Sequence, residues 1–301
     1  VHGERVYHLF YKLKSEVLSD KFYNMKQKDR NKKLSGEDGF DSYYSGLFGE
    51  RWSSIKNAFS LENDYVEWNV AGEKSYFLDS ASVRAAVSLP LKNAGEILDL
   101  CAAPGGKTLV LASNMAAGAS LLANERSPER KNRLVNTVKD CLPQNIQEKV
   151  TVICKDGARL CLKNEEKFDS ILLDAPCSSE RHVLADEKYL SEWTPSRIKT
   201  LSMAQWALLS SAWRMLKKSG FLLYSTCALS PDENDNVISK LLKKFDDAEL
   251  LEPKISLEYK KFCNKELPDY EKTEFGAHIL PDKACGAGPL YFCLLRKKSQ
   301  I

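Results

Sequence analysis

Residues 96–108 read EILDLCAAPGGKT, and the fold turns on them. Glu96–Cys101 is a short, mostly apolar run of strand length. Pro104, Gly105 and Gly106 follow as a turn with no bulky side chain, and a helix start comes next. Such a turn lets backbone N–H groups approach a ligand at a helix N-terminus. Two ligand classes compete for it. The GGKT ending is that of a phosphate-binding loop, G-x-x-x-x-G-K-[ST]. The first glycine of that pattern falls on Cys101, so a required residue is missing. A cofactor loop without a triphosphate cradle fits better.

The same texture continues outward. Short apolar runs at 119–124, 149–153, 168–174, 220–226 and 289–295 alternate with amphipathic stretches. The clearest helix precedes the run at 220–226. Ile198, Leu201, Leu208, Leu209, Ala212, Met215 and Leu216 mostly share one face, and Gly220 reads as its stop. This alternation predicts an α/β, Rossmann-like fold, a mostly parallel sheet with helices on both sides. Upstream, residues 1–36 carry a helical pattern with Leu9, Leu13 and Val17. Residues 30–42 read as a polar linker. The aromatic stretch at 40–59 predicts a turn and a helix from about Trp52. The chain thus divides into a small N-terminal helical extension, basic and aromatic, over 1–75 and the Rossmann-like domain over 76–301.

Composition excludes some classes. Hydrophobic residues at 43% and charged residues at 28% suit a globular protein rather than a disordered one. The apolar runs are too short to span a bilayer, so no membrane association is expected. The N-terminus has no continuous apolar stretch of the signal-peptide kind, although the chain starts at Val1 and a segment before it is conceivable. A bacterial cytoplasm is the expected location, with the mitochondrial matrix as the alternative. Net charge is only +3, but residues 1–36 hold nine Lys/Arg against four Asp/Glu. That local excess suits a polyanionic partner, or else a solvated helix face. Nine cysteines without a C-x-x-C pair point to free thiols in a reducing compartment and to no metal site.

In parallel sheets, ligands bind beyond the carboxyl ends of the strands. Glu125 follows the run at 119–124, where it can accept from both hydroxyls of a ribose. Asp156-Gly157 follows 149–153, where a carboxylate can meet an adenine amino group. DAPCSS (174–179) follows 168–174, and YSTCALSPDEN (224–234) ends the next strand. Neighbouring strand ends lie about 5 Å apart, so Cys177 and Cys227 can face one pocket. Cys101, Cys141, Cys154, Cys161 and Cys293 read as small packing residues.

DLCAAPGGKT, DAPCS and STC, in this order and spacing, resemble the RNA cytosine-5 methyltransferases of the Sun/Fmu type. The likeness covers roughly residues 76–301. A closer likeness is to the mitochondrial small-subunit rRNA branch, through SSERH (178–182), FDSYYSGLFGERWSSIK (40–56) and GPLYFC (288–293). At Ser179–His182 the chain departs from the S-G-x-G of most relatives. The resemblance implies S-adenosyl-L-methionine as cofactor. It implies cofactor contacts from Cys101, Ala102, Ala103, Pro104, Gly105, Gly106, Lys107, Glu125, Arg130, Asp156, Gly157 and Asp174. Arg130 is placed by SPER. It further implies Cys227 as nucleophile and Cys177 as the cysteine active in product release, with Asp174 and Lys107 at the base.

The expected activity is formation of 5-methylcytosine in RNA, with that of the small ribosomal subunit as the expected target, through a covalent cysteine adduct at carbon 6. Residues 1–36, with Tyr43, Tyr44, Phe48 and Trp52, are candidates for an RNA-binding cap, the alternative being that these aromatics form the core of the cap, which is the favoured reading for Trp52; His182 is a candidate substrate contact or else a surface-loop histidine. The alternatives are a catalytically silent RNA-binding or ribosome-assembly protein and a P-loop nucleotide hydrolase. Thr226-Cys227 favours RNA over DNA as substrate. The chain is expected to be a monomer, with a protein partner for targeting as an open option.

Overall fold

The computed structural model describes residues 34–255 and 257–299. The helical pattern expected over 1–36 falls almost wholly outside them.

Helix α1 (Gly36–Phe48), a 3-10 turn (Gly49–Arg51) and α2 (Trp52–Ala58) come first. Residues 36–42 are therefore helical and not the linker that their polar composition suggests. Phe40 and Tyr44 lie one helical turn apart, and both are fully buried. Tertiary packing of that stripe decides the helix over local composition. The expected helix at Trp52 is present.

Strands β1 (Tyr65–Trp68) and β2 (Tyr76–Asp79) form an antiparallel hairpin. The division expected after residue 75 falls between its two strands. Asp79 Oδ1 then accepts the Ala81 N–H at 2.9 Å and caps α3 (Ser80–Val87).

The large sheet follows. Its elements are β3 (Glu96–Asp99), α4 (Gly106–Asn114), β4 (Ser120–Asn124), α5 (Pro128–Cys141), α6 (Gln144–Gln147), β5 (Val150–Ile153) and β6 (Phe168–Asp174). Then come α7 (Glu180–Leu184), α8 (Glu187–Ser191), α9 (Pro195–Met215), β7 (Leu216–Thr226) and α10 (Asp235–Lys244). The chain finishes with β8 (Ala248–Leu251), β9 (Glu271–Lys272), β10 (Ala277–Ile279) and β11 (Leu290–Lys297). Each strand expected in this region appears within a few residues. Gly220 is not the stop of α9, which ends at Met215 and passes straight into β7. Gly220 lies inside β7, where a Cβ would sit 2.9 Å from the carbonyl oxygens of Asp169 and Lys217. Its role is a close backbone approach beside the register shift between Phe168 and Ser170.

The strand order is β5-β4-β3-β6-β7-β11-β10-β9, with β8 also on β11. Strands β3 to β7 pair in parallel, and β11 turns antiparallel against β7. Alternate residues of one strand feed opposite faces. Ile97, Leu172, Leu223 and Phe292 pack under α3 and α4. Leu98, Ile171, Leu222 and Cys293 pack under α9 and α10. Burial on both faces explains why these strands read as apolar runs.

A third cluster holds Phe40, Tyr44, Trp52 and Ile55 against Val183, Trp193, Ile198, Leu229 and Leu280. The N-terminal helices thus sit on the loops that leave β6 and β7. Arg51 pins them further, with Nε and Nη2 on Asp282 and a two-pronged bond to Glu271.

Phe40→Ala should lower stability by about 3–4 kcal/mol in urea denaturation, because the cavity opens in a closed aromatic cluster. On β10, burial holds the imidazole of His278 down to about 4, from an ordinary value near 6.5. The unfolded chain binds that proton first, so stability rises with pH between about 4 and 6.5 and is fully present above. A neutral substitute such as His278→Asn should flatten that part of the stability–pH curve, whatever it costs overall.

Candidate active site

The strand order sets the site. The carboxyl ends of β5, β4, β3, β6 and β7 lie in a row. Asp156, Glu125, the Cys101–Gly106 turn, Asp174 with Cys177, and Cys227 follow these ends in the same sequence. The sheet thus lines up the strand-end residues expected from sequence.

The turn is built for close approach. Gly105 adopts φ +120, and a Cβ there would sit 2.8 Å from Thr137 Cγ2. Arg130 Nη2 donates to the Ala103 carbonyl at 2.6 Å, and its Nη1 lies 3.4 Å from Glu125 Oε2. Arg130 therefore braces the turn and the acid after β4. Glu125 is buried, and its Oε1 accepts the Ser127 N–H at 2.8 Å. Asp156 is exposed and accepts the Ala158 N–H, while Gly157 is buried against Leu208 and Leu100.

Below the turn, Thr108 Oγ1 donates to Asp99 Oδ2 at 2.7 Å. Asp99 Oδ1 is buried with no partner among the described residues. Burial pushes the Asp99 carboxyl up to about 7. An acceptor without a donor beneath a side-chain-free turn fits a ligand carrying amino or hydroxyl groups. It does not fit a triphosphate. The hydroxyl and ammonium that a P-loop turns toward phosphate are here bonded to Asp99 and Asp174, among further carboxylates.

Lys107 Nζ donates to Asp174 Oδ2 at 2.8 Å, and Ser225 Oγ donates to Asp174 Oδ1 at 2.8 Å. Burial works against the charged ammonium, but Asp174, Cys227 and Asp99 outweigh it and leave the Lys107 pKa raised. Cys177 Sγ and Cys227 Sγ stand 2.9 Å apart as free thiols. The Cys227 N–H donates to Cys177 Sγ at 3.3 Å, and Ser179 Oγ lies 3.2 Å from Cys227 Sγ. The hydrogen bond from Cys177 pulls the Cys227 thiol below its ordinary value, with burial opposing and Ser179 assisting. That shared bond, together with burial, pushes Cys177 well above its own. The shared bond and burial thus bias the two sulfurs in opposite directions, Cys227 toward the thiolate and Cys177 toward the thiol.

Several residues near the site carry no sequence role. Glu180 and Glu233 are fully buried beside Ser178, immediately behind the cysteines. Asn234 accepts from Thr226 Oγ1 at 2.6 Å and donates to the Ala228 carbonyl at 2.8 Å, fixing the Cys227 turn. Only the position of SSERH and SPDEN directly after strand ends signals them, since isolated polar residues have no period.

The aromatics divide between the two readings. Tyr44 and Trp52 are buried in the third cluster, stacked at 5.1 Å between ring centroids. They wall the site from behind and cannot stack on RNA bases. Tyr43 Oη lies 3.0 Å from Ser230 Oγ. His182 is exposed, with its ring 5.2 Å from that of Tyr189.

A family model described as 16S rRNA methyltransferase RsmB/F matches residues 86–288. The chain belongs to the RsmB/F family. Bovine (Bos taurus) "5-cytosine rRNA methyltransferase NSUN4" is 31% identical over 225 residues, covering 72% of this chain and 58% of that protein. "Ribosomal RNA small subunit methyltransferase F" of Aliivibrio fischeri is 36% identical over 198 residues, covering 64% of this chain and 41% of that protein. The chain thus spans about half the length of these RsmB/F relatives. The crystal structure of a methyltransferase homolog protein from Pyrococcus horikoshii superposes with a TM-score of 0.66 at 22% identity. It covers 91% of this chain and 100% of that one, and shows the shared fold. The Sun/Fmu resemblance and the Rossmann-like methyltransferase core both hold.

Cys177→Ala removes the donor to Cys227, so the Cys227 pKa should rise. Iodoacetamide labelling of Cys227 near pH 7, followed by mass spectrometry, should slow several-fold, with Cys177→Ser falling between.

Proposed function

We propose that the chain is an S-adenosylmethionine-dependent RNA cytosine-5 methyltransferase acting on ribosomal RNA of the small subunit. The carrying observation is the pair of thiols from neighbouring strand ends, 2.9 Å apart, with the Lys107–Asp174 pair on the same row of strand ends. The family description and the relatives' names support the substrate class.

S-adenosylmethionine, when bound, supplies a methyl group made electrophilic by its sulfonium. The fit of the turn supports that group. Backbone from Cys101 to Lys107 would hold it, with Glu125 at the ribose, Asp156 and Gly157 at the adenine, and Arg130 bracing Glu125. The carboxylates Asp99, Glu125 and Asp174 suit a cationic ligand better than a triphosphate.

Carbon 5 of cytosine is a poor nucleophile. The Cys227 thiolate bonds to carbon 6 and turns the ring into an enamine-like adduct, so that carbon 5 can accept a methyl group. Asp174, oriented by Lys107 and Ser225, accepts from the exocyclic amino group and shares a proton with the ring nitrogen, which stabilises the adduct. Once carbon 5 carries the methyl group, its proton passes to a water beside Cys177. The C–S bond then breaks and Cys227 leaves with its electron pair. The base must be extruded from its stack to reach this row, and residues 1–75 together with the loops after β6 and β7 provide the RNA-facing surface.

Bisulfite sequencing of RNA incubated with the protein and methyl donor should show new 5-methylcytosine. Cys227→Ala should abolish it. Cys177→Ala should accumulate a protein–RNA adduct that survives denaturing gels, and free turnover by that variant would refute the release role. Glu125→Ala should weaken binding of the methyl donor by about tenfold or more in calorimetry.

A further inference from the structure

Two carboxyl groups behind the cysteine pair have no part in the chemistry above. Glu180 and Glu233 are both 0% exposed. Every hydrogen bond given to them comes from a neutral donor. Glu180 Oε1 accepts from Tyr44 Oη at 2.5 Å, and Glu180 Oε2 accepts the Leu229 N–H at 3.0 Å. Glu233 Oε1 accepts from the Ser178 N–H and from Gln205 Nε2, each at 2.9 Å. Ser178 Oγ touches both acids, Glu180 at Oε1 and Glu233 at Oε2, the latter at 2.5 Å.

Counting hydrogens decides the protonation. Three oxygen–oxygen contacts run through the cluster: Tyr44 to Glu180, Ser178 to Glu180, and Ser178 to Glu233. The two hydroxyls supply one hydrogen each. The third contact needs a hydrogen that only a carboxyl can provide. We propose that Glu180 and Glu233 hold a single proton between them across Ser178, and that this proton ties the Cys177 loop to the Cys227 loop. The two acids are positioning residues. Ser178 follows Cys177 directly, and Leu229, bonded by Glu180, stands two residues beyond Cys227.

The surroundings agree. The titratable groups facing the pair are Tyr43 and Tyr44 from α1, Cys177, Tyr224 from β7, and Cys227 and Asp232 from the loop that follows. None is a cation. Arg181, next in sequence to Glu180, turns away to Asn63 and the Gly286 carbonyl. Burial raises both acids, and Glu233 rises to about 7 under burial and the charge of Glu180. Between the pair's two deprotonation steps the bridge is complete. As pH rises through the second, two buried negative charges face each other across one hydroxyl, and the loops lose their register.

The consequence for catalysis rests on Cys227 being the nucleophile, but the test does not. Infrared difference spectra of the full chain should show protonated-carboxyl intensity near neutral pH, beyond that of Asp99, that is absent from Glu180→Gln and from Glu233→Gln. The amide of either variant supplies the missing hydrogen without a titrating proton. Iodoacetamide labelling of Cys227, referenced to exposed Cys285, should fall behind the thiol's own ionisation on the alkaline side in the wild type. In both Gln variants that lag should vanish, with rates within about twofold of wild type near neutrality. Glu180→Ala and Ser178→Ala should slow labelling by about tenfold. Should the alanine variants fail to fold, the near-isosteric Gln pair decides. No such intensity in the wild type, no loss of it in the two Gln variants, or an unchanged alkaline lag overturns the proposal. None of these readouts needs RNA or methyl donor. A chain that shows the band and methylates nothing refutes the proposed activity and keeps the carboxyl pair.

Discussion

The parallel pairing of β6 and β7 is the constraint on which the site depends. Its register sets Asp174 opposite Ser225. Both strands end there, and each releases a cysteine within three residues. Two thiols far apart in sequence therefore arrive in contact, with Asp174 already held between Lys107 and Ser225. A one-residue slip would turn these side chains to the other face of the sheet and break the constellation. The apolar residues buried on both faces of β6 and β7 resist such a slip.

The N-terminal helices are part of the same machinery. Their aromatic stripe closes over the loops after β6 and β7, and Tyr44 reaches the acids behind the cysteines. Arg51 joins them to the far edge of the sheet through Glu271 and Asp282. The cap is thus a wall that positions loops, and the side chains that look most suited to stacking on bases are spent on that wall. Phe48 and Tyr43 are less enclosed.

Charge organises the rest of the row. Asp99, Glu125 and Asp174 surround a turn made of backbone and methyl groups, with Lys107 and Arg130 bonded to acids and carbonyls. A polyphosphate would meet an acidic cradle whose cations are already engaged. A positively charged ligand with amino and hydroxyl donors meets acceptors, one of them unpartnered.

The order of strands and helices, the glycine turn, the acids after β4 and β5, and both cysteines were legible because each is local. A strand is a short apolar run, a turn needs residues without side chains, and a fold class fixes which strand ends carry ligands. The helix at 36–48, the place of Gly220 and the burial of Tyr44 were not legible. Each depends on a partner distant in the chain. The cluster of Glu180, Glu233 and Ser178 is the sharpest case. As letters they are polar residues in surface-like loops, and only tertiary packing removes them from water and forces them to share hydrogens. By itself the sequence determined which residues stand at the strand ends, since that follows from local pattern. Tertiary structure alone decided that the two thiols share one hydrogen bond and which acids lie behind them, because desolvation and hydrogen-bond sharing exist only once separate segments meet.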